Sequence, residues 1–134
     1  MTIFTSSFDF ETRGEFDVVD LTQKVEEKVR DSGIKEGIAV VYAGHATGVI
    51  ILNEHDQALL EDLKDLMRRL TPTEGGYRHP GNAASHLRSM LFTPSRVVPV
   101  HGGSLGLGTW QSLYWVEAER RPRRRRVEIT VIGE

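Results

Sequence analysis

The chain has 134 residues, 39% of them hydrophobic and 27% charged, with 17 Lys and Arg against 19 Asp and Glu for a formal net charge of −2. That length suits one domain over residues 1–134, the balance excludes wholesale disorder, and near-neutrality excludes a global field recruiting nucleic acid or an anionic membrane. The sequence has no cysteine, which removes disulfides, thiolate catalysis, iron–sulfur clusters and Cys-type zinc sites together, so any metal would be held by His, Asp, Glu and other oxygen donors.

Residues 1–10 have neither the basic region nor the apolar core of a signal peptide. Apolar runs such as Val49–Leu52 are far short of the ~20 residues of a membrane span. A cytoplasmic location is therefore expected. Residues 2–10 alternate weakly and predict a strand. Asp20, with Gln23 three residues on, predicts a capping box opening a helix in which Leu21, Val25 and Val29 recur and Gly33 supplies the C-cap. Ile38–Tyr42 and Gly48–Leu52 are β-branched runs that predict buried strands on either side of a turn carrying His45. A second helix is expected over 56–70, with Leu59, Leu63, Leu66 and Leu70 on its apolar face, Leu60 and Met67 widening it, and Thr71-Pro72 as its stop. A Gly/Pro loop follows, and then a short helix over 82–91 with Asn82 as cap. Strands are expected at 96–100, 109–118 and 126–132, the last two joined as a hairpin. Strands at the ends and helices in the middle give an α+β fold, with a mixed or largely antiparallel sheet and about three helices.

Three histidines beside polar turns form the strongest chemical constellation: His45, His79 and His86. Imidazole is the commonest protein metal ligand, yet the spacing matches no established metal motif, and on the residues alone hydrogen-bonding or scattered histidines are the favoured reading. Glu54 ends a buried strand and Asp62 flanks the apolar stripe of the second helix, so each is a candidate general base or metal ligand as well as a candidate surface carboxylate. Gly102–Gly108 has four glycines but no P-loop ending, and a tight hairpin is the simpler reading. Arg120–Arg126 holds six arginines. No aromatics accompany them, and alternation in a strand sends successive arginines to opposite faces, so ion pairing rather than nucleic-acid binding is expected.

Taken in order, several stretches resemble the YjbQ family, also called the secondary thiamine-phosphate synthase family. They are Val19–Thr22, Ser32–Gly37, the His45 turn and strand to Asn53-Glu54, Asp62, Tyr77-Arg78-His79, Asn82, Ser85–Leu91, Val98–Val100, Leu107-Gly-Thr-Trp-Gln111 and Arg121-Pro-Arg123. The resemblance implies an α+β sandwich assembling as a homotrimer, with a polar cleft near the subunit boundary. It also implies a weak activity joining a pyrimidine-methyl diphosphate to a thiazole phosphate. On the matching positions, Glu54, Asp62 and Arg88 become the catalytic candidates and Asn82, Ser89, Trp110 and Gln111 the substrate-binding ones. His45, His79 and His86 become the candidate ligands of a divalent ion, Zn²⁺ or Mg²⁺, or direct partners of phosphate. His55 and His101 fall outside the pattern. The sequence departs from the family at His45-Ala-Thr-Gly48, which has one hydroxyl fewer than the usual His-Thr-Thr-Ala, and at Arg121, where glycine is usual. The alternative is a trimeric binder of a metal or phosphorylated metabolite without turnover.

Overall fold

Residues 1–134 are described by a computed structural model. The elements are β1 (Thr2–Thr12), β2 (Val18–Asp20), α1 (Thr22–Ser32), β3 (Gly37–Tyr42), β4 (Gly48–Asn53), α2 (Gln57–Leu70), α3 (Ala83–Phe92), β5 (Ser95–His101), β6 (Ser104–Leu105), β7 (Ser112–Glu117) and β8 (Arg123–Gly133). They form an α+β sandwich of a five-stranded sheet, ordered β1-β8-β3-β5-β6, and a three-stranded sheet, ordered β2-β7-β4. Every strand pairing is antiparallel. No helix is long and apolar enough to cross a membrane.

The apolar runs in β4 and β7 are continuous because the small sheet is covered on both faces. Ile50, Leu113 and Trp115 turn inward to meet Val25 and Val29 of α1 and Ala39, Val41, Val127, Ile129 and Val131 of the large sheet. Val49, Ile51, Tyr114 and Val116 turn the other way, onto Leu60 and Met67 of α2. The large sheet has only its inner face covered, yet its outer face is not polar. One cross-strand row there runs Ile3, Ile132, Ile38 and Pro99, and Val40 lies opposite Val97 in the next. Ile3, Ile38 and Val97 are exposed.

Several expectations are corrected in detail. Asp20 does not cap α1 through a capping box: Leu21 occupies the N-cap without a side-chain bond, and the Asp20 carboxylate accepts the Thr22 N–H at 2.9 Å. In α2 the seam against the sheet is Leu60 and Met67, with Leu63 packed beside them, while Leu59, Leu66 and Leu70 are exposed. Both stripes have helical spacing, so periodicity alone does not choose between them. The long strand expected at 109–118 is confined to Ser112–Glu117, and β2 and β6 are too short to leave an alternating signal. The glycine-rich segment is a tight hairpin, as its composition suggests: His101 pairs with Ser104 across Gly102 and Gly103, both with positive φ (57° and 80°).

Candidate functional site

The loop from α2 to α3 carries the candidate His79 and leads to His86, and it is tethered on several sides. Arg88 of α3, fully buried, donates from Nε to the Thr71 hydroxyl (3.0 Å), from Nη2 to the Thr71 carbonyl (2.9 Å) and Thr73 (3.0 Å), and from Nη1 to Glu15 (2.7 Å) and the Ala118 carbonyl (3.2 Å). All five of its N–H groups are thereby used. The Tyr77 hydroxyl donates to the Pro72 carbonyl at 2.6 Å, and Glu74 pairs with Arg120 of the β7–β8 turn at 2.9 Å. The Asn82 amide donates to Glu119 at 3.0 Å, although Asn82 makes no side-chain cap on α3. The β7–β8 turn and the α2–α3 loop are thus tied into one unit.

On that unit His79 and His86 meet edge to face, ring centroids 5.0 Å apart, at a cleft of about 620 Å³ that Tyr77, Arg78, Leu87 and Met90 also line. Apolar walls with a few polar groups are what a small-molecule site requires. A recess of about 910 Å³ along α1 has no apolar wall. A smaller cleft of about 410 Å³ lies on the same loop, lined by Pro80, Gly81, Asn82, Glu119, Arg120 and Arg121. The Glu119 carboxylate is buried. Burial pushes its pKa up, but the Asn82 amide, the Arg120 N–H, Arg123 and Arg121 together outweigh that and hold it below the usual carboxylate range.

His45 is placed elsewhere. Its ring stands edge-on to Trp115 at 6.0 Å, and its Nε2 accepts the Arg126 N–H at 2.8 Å. Beneath it, Arg125 and Glu117 form an ion pair inside the sandwich. Glu117 also accepts from the Thr12 hydroxyl (2.9 Å), the Trp115 indole (3.3 Å) and the Glu119 N–H (2.9 Å). This network sets where the β7–β8 turn leaves the sheet, and hence where Glu119 stands.

The structure therefore brings together part of the expected set. His79 and His86 share a cleft, and Asn82 lines the adjoining one. His45 is not with them, and nowhere in the chain do three or more His, Asp or Glu side chains converge to hold a metal ion. A three-histidine centre for Zn²⁺ or Mg²⁺ does not fit one chain, because His45 Nε2 is already occupied by a backbone donor. Arg88, the third catalytic candidate, is wholly buried with every donor engaged and braces the interior. Ser89 is buried on α3. Glu54 is half-buried after β4, where its carbonyl accepts the Tyr114 hydroxyl at 3.3 Å, and Asp62 is exposed on α2. Trp110 is 73% exposed, and Gln111 accepts the Gly108 N–H at 2.9 Å within its own turn. None of these lines the histidine cleft. His55 and His101 bond to Asp20 (2.6 Å) and Glu36 (3.0 Å). Sequence reasoning passed over Glu117 and Glu119, whose only signal is carboxylates between an apolar strand and a basic turn.

A family model described as UPF0047 protein YjbQ-like matches residues 6–134. A UPF0047 protein of Methanothermobacter thermautotrophicus is 36% identical over 137 aligned residues, covering 100% of this chain and 95% of that one. Among solved structures, a YbjQ-like protein of unknown function from Sulfolobus solfataricus superposes with TM-score 0.95 at 32% identity, covering 99% of both chains. A hypothetical protein of Aeropyrum pernix does so with TM-score 0.92 at 39% identity, covering 98% of this chain and 99% of that one.

Proposed function

As the chain belongs to the YjbQ-like UPF0047 family, we propose that it is a transferase of the thiamine-phosphate synthase type acting on small phosphorylated metabolites in the cytoplasm. The carrying observation is the His79–His86 pair, 5.0 Å between ring centres, on a half-apolar cleft of about 620 Å³. Tyr77, Leu87 and Met90 offer surface for a heteroaromatic ring, while the imidazoles and Arg78 offer donors to phosphate oxygens. In the reaction, the bond between the pyrimidine's methylene carbon and its diphosphate oxygen breaks. The thiazole nitrogen supplies the electron pair for the new C–N bond, and pyrophosphate leaves. Donors fixed where negative charge accumulates on the leaving oxygens stabilise that transition state without reorganising. No step is assigned to a metal ion, for which one chain assembles too few ligands.

Glu54, Asp62, Trp110 and His45 stand apart from the cleft within one chain, so they reach it only from another copy. We accordingly propose a homotrimer. The uncovered row Ile3, Ile132, Ile38 and Pro99, with Val40 and Val97 beside it, is what supports self-association. Light scattering on the purified protein tests it, and a monomer at micromolar concentration contradicts it.

A second reading, binding of the phosphorylated metabolite without turnover, is favoured by the engagement of every Arg88 donor in the interior and by the lack of an Asp or Glu lining the histidine cleft. Incubation with both substrates and Mg²⁺, beside an authentic synthase, separates the two. Product above background that is lost in H79A/H86A supports transfer. Thermal stabilisation by either substrate with no product over hours supports binding alone.

A further inference from the structure

The six arginines of the β7–β8 turn and the start of β8 are not equivalent. Arg124 and Arg126 both reach Asp9, at 3.0 and 2.8 Å. Arg125 is neutralised inside by Glu117, and Arg120 pairs with Glu74 at 2.9 Å. Arg121 and Arg123 have no carboxylate partner within 4.0 Å, although both are close enough to Glu119 to help keep it ionised. Nothing in the interior requires these two charges, because both side chains are exposed.

Their position is specific. Along β8 the alternation puts Arg123 on the same face as Arg125 and Val127, at the exposed start of the strand, two residues after Arg121. Arg121 lines the cleft of about 410 Å³ whose other walls include Asn82 and Glu119. The carboxylate of Glu119 is turned to internal donors, accepting from Asn82 (3.0 Å), Ser85 (3.4 Å) and the Arg120 N–H (3.2 Å). Of its lining residues Arg120 and Arg121 are positive and Glu119 is negative, so this cleft keeps net positive charge. The walls are polar residues, glycine and proline, which suits a hydrated anion rather than an apolar group.

We propose that Arg121 and Arg123 form the phosphate-binding subsite of this protein, holding a phosphate or diphosphate group whose organic remainder extends along the loop toward His79 and His86. This rests on the reading that the His79–His86 cleft takes a phosphorylated metabolite, and it names the group recognised and the residues that recognise it. Planar guanidinium groups match tetrahedral oxyanions with paired, charge-assisted hydrogen bonds, which lysine in the same turn would not reproduce.

The test uses inorganic pyrophosphate as the probe, titrated calorimetrically into the wild-type protein and into R121Q/R123Q and R30Q/R69Q. The last removes two exposed, unpaired arginines, one on α1 and one on α2, and controls for net charge alone. The expected result is pyrophosphate binding that weakens at least tenfold in R121Q/R123Q and less than threefold in R30Q/R69Q. Equal weakening in the two arginine variants, or no binding by the wild type, overturns the proposal. A random oligonucleotide forms a separate arm: binding that displaces pyrophosphate and falls steeply with salt assigns the arginines to a nucleic-acid backbone and also overturns it. Arginine-dependent pyrophosphate binding without synthase product leaves the subsite standing and removes the transferase reading. Synthase activity with an unchanged KM in R121Q/R123Q removes the subsite alone.

Discussion

His45 Nε2 accepts the backbone N–H of Arg126 at 2.8 Å, at the point where β3 has turned away from β8 after Tyr42. A side chain continues the ladder that the strand has left, and the ring must be neutral, with its proton on Nδ1, to do so. Burial first, and then the Arg125 guanidinium, push the His45 pKa below its ordinary 6.5. The unfolded chain therefore takes up this proton at higher pH than the folded one. The stabilisation is complete above about pH 6.5 and is lost as pH falls through the interval down to the folded value. Relative to H45A, the wild type should be about 1 kcal/mol more stable at pH 8 by urea denaturation. That margin should shrink toward pH 5. A margin constant from pH 8 to pH 5 would contradict the neutral-acceptor assignment.

Asp9 receives Arg126 at 2.8 Å and Arg124 at 3.0 Å on the outer face of the large sheet. Hydrogen bonds from these two arginines lower its pKa from 3.8 to about 2. Because the folded value is depressed, its contribution is present above the unfolded value of 3.8 and disappears as pH falls toward 2. A carboxyl-carbon NMR titration should show the low value at low ionic strength and a rise toward 3.8 in 1 M salt. Titration of Asp9 at the ordinary value in dilute buffer would dissolve the pairing.

Much of the fold is legible in the sequence because burial imposes period. β8 reads correctly through Val127, Ile129 and Val131, and β4 and β7 read as continuous runs because both of their faces are covered. The apolar face of α2 is wider than its seam: Leu60, Leu63 and Met67 pack inward while Leu59, Leu66 and Leu70 stay exposed, and only tertiary contact chooses between edges of like spacing. Of the candidate site, His79, His86 and Asn82 lie together on one loop and helix start. His45 joins them in the sequence because residue type carries no position, and Arg88 joins through the family resemblance, which does not say how many partners its donors have. Glu117 and Glu119 escaped notice since nothing local distinguishes a buried carboxylate from a surface one. Their burial depends on Arg125, Asn82 and Ser85 arriving from other elements.

Arg88 braces the loop that carries His79, so its replacement should loosen that loop as well as the fold. R88M leaves Glu15, Thr73 and the carbonyls of Thr71 and Ala118 without their donor, and should cost about 3–5 kcal/mol in chemical denaturation. R88K keeps the charge but has three donors in place of five, and should lose about 2 kcal/mol. In R88K, limited proteolysis should cut near Gly75-Gly76 faster than in the wild type under conditions where global unfolding is negligible. Equal cutting rates would show that the loop is fixed by its other tethers.

Gly48 opens β4 against the face of Trp115, and a Cβ built there would stand 1.9 Å from the indole. Nothing can yield cheaply. Trp115 is fully buried, with Phe10 edge-on to it at 6.0 Å and the Arg125 guanidinium 5.2 Å from its centroid. Moving the indole would disturb its Nε1 bond to Glu117, and with it the network that positions Glu119. G48A should therefore destabilise the protein by about 2–4 kcal/mol, as overpacking of a rigid interior does. It should also shift the tryptophan emission and weaken pyrophosphate binding, although residue 48 touches neither cleft. G76A is the matched control: its added methyl meets no atom within 4 Å, and its effect should stay within about 0.5 kcal/mol. Equal melting temperatures for the two variants would mean that the indole has room to move and that the coupling from Trp115 to the β7–β8 turn is absent.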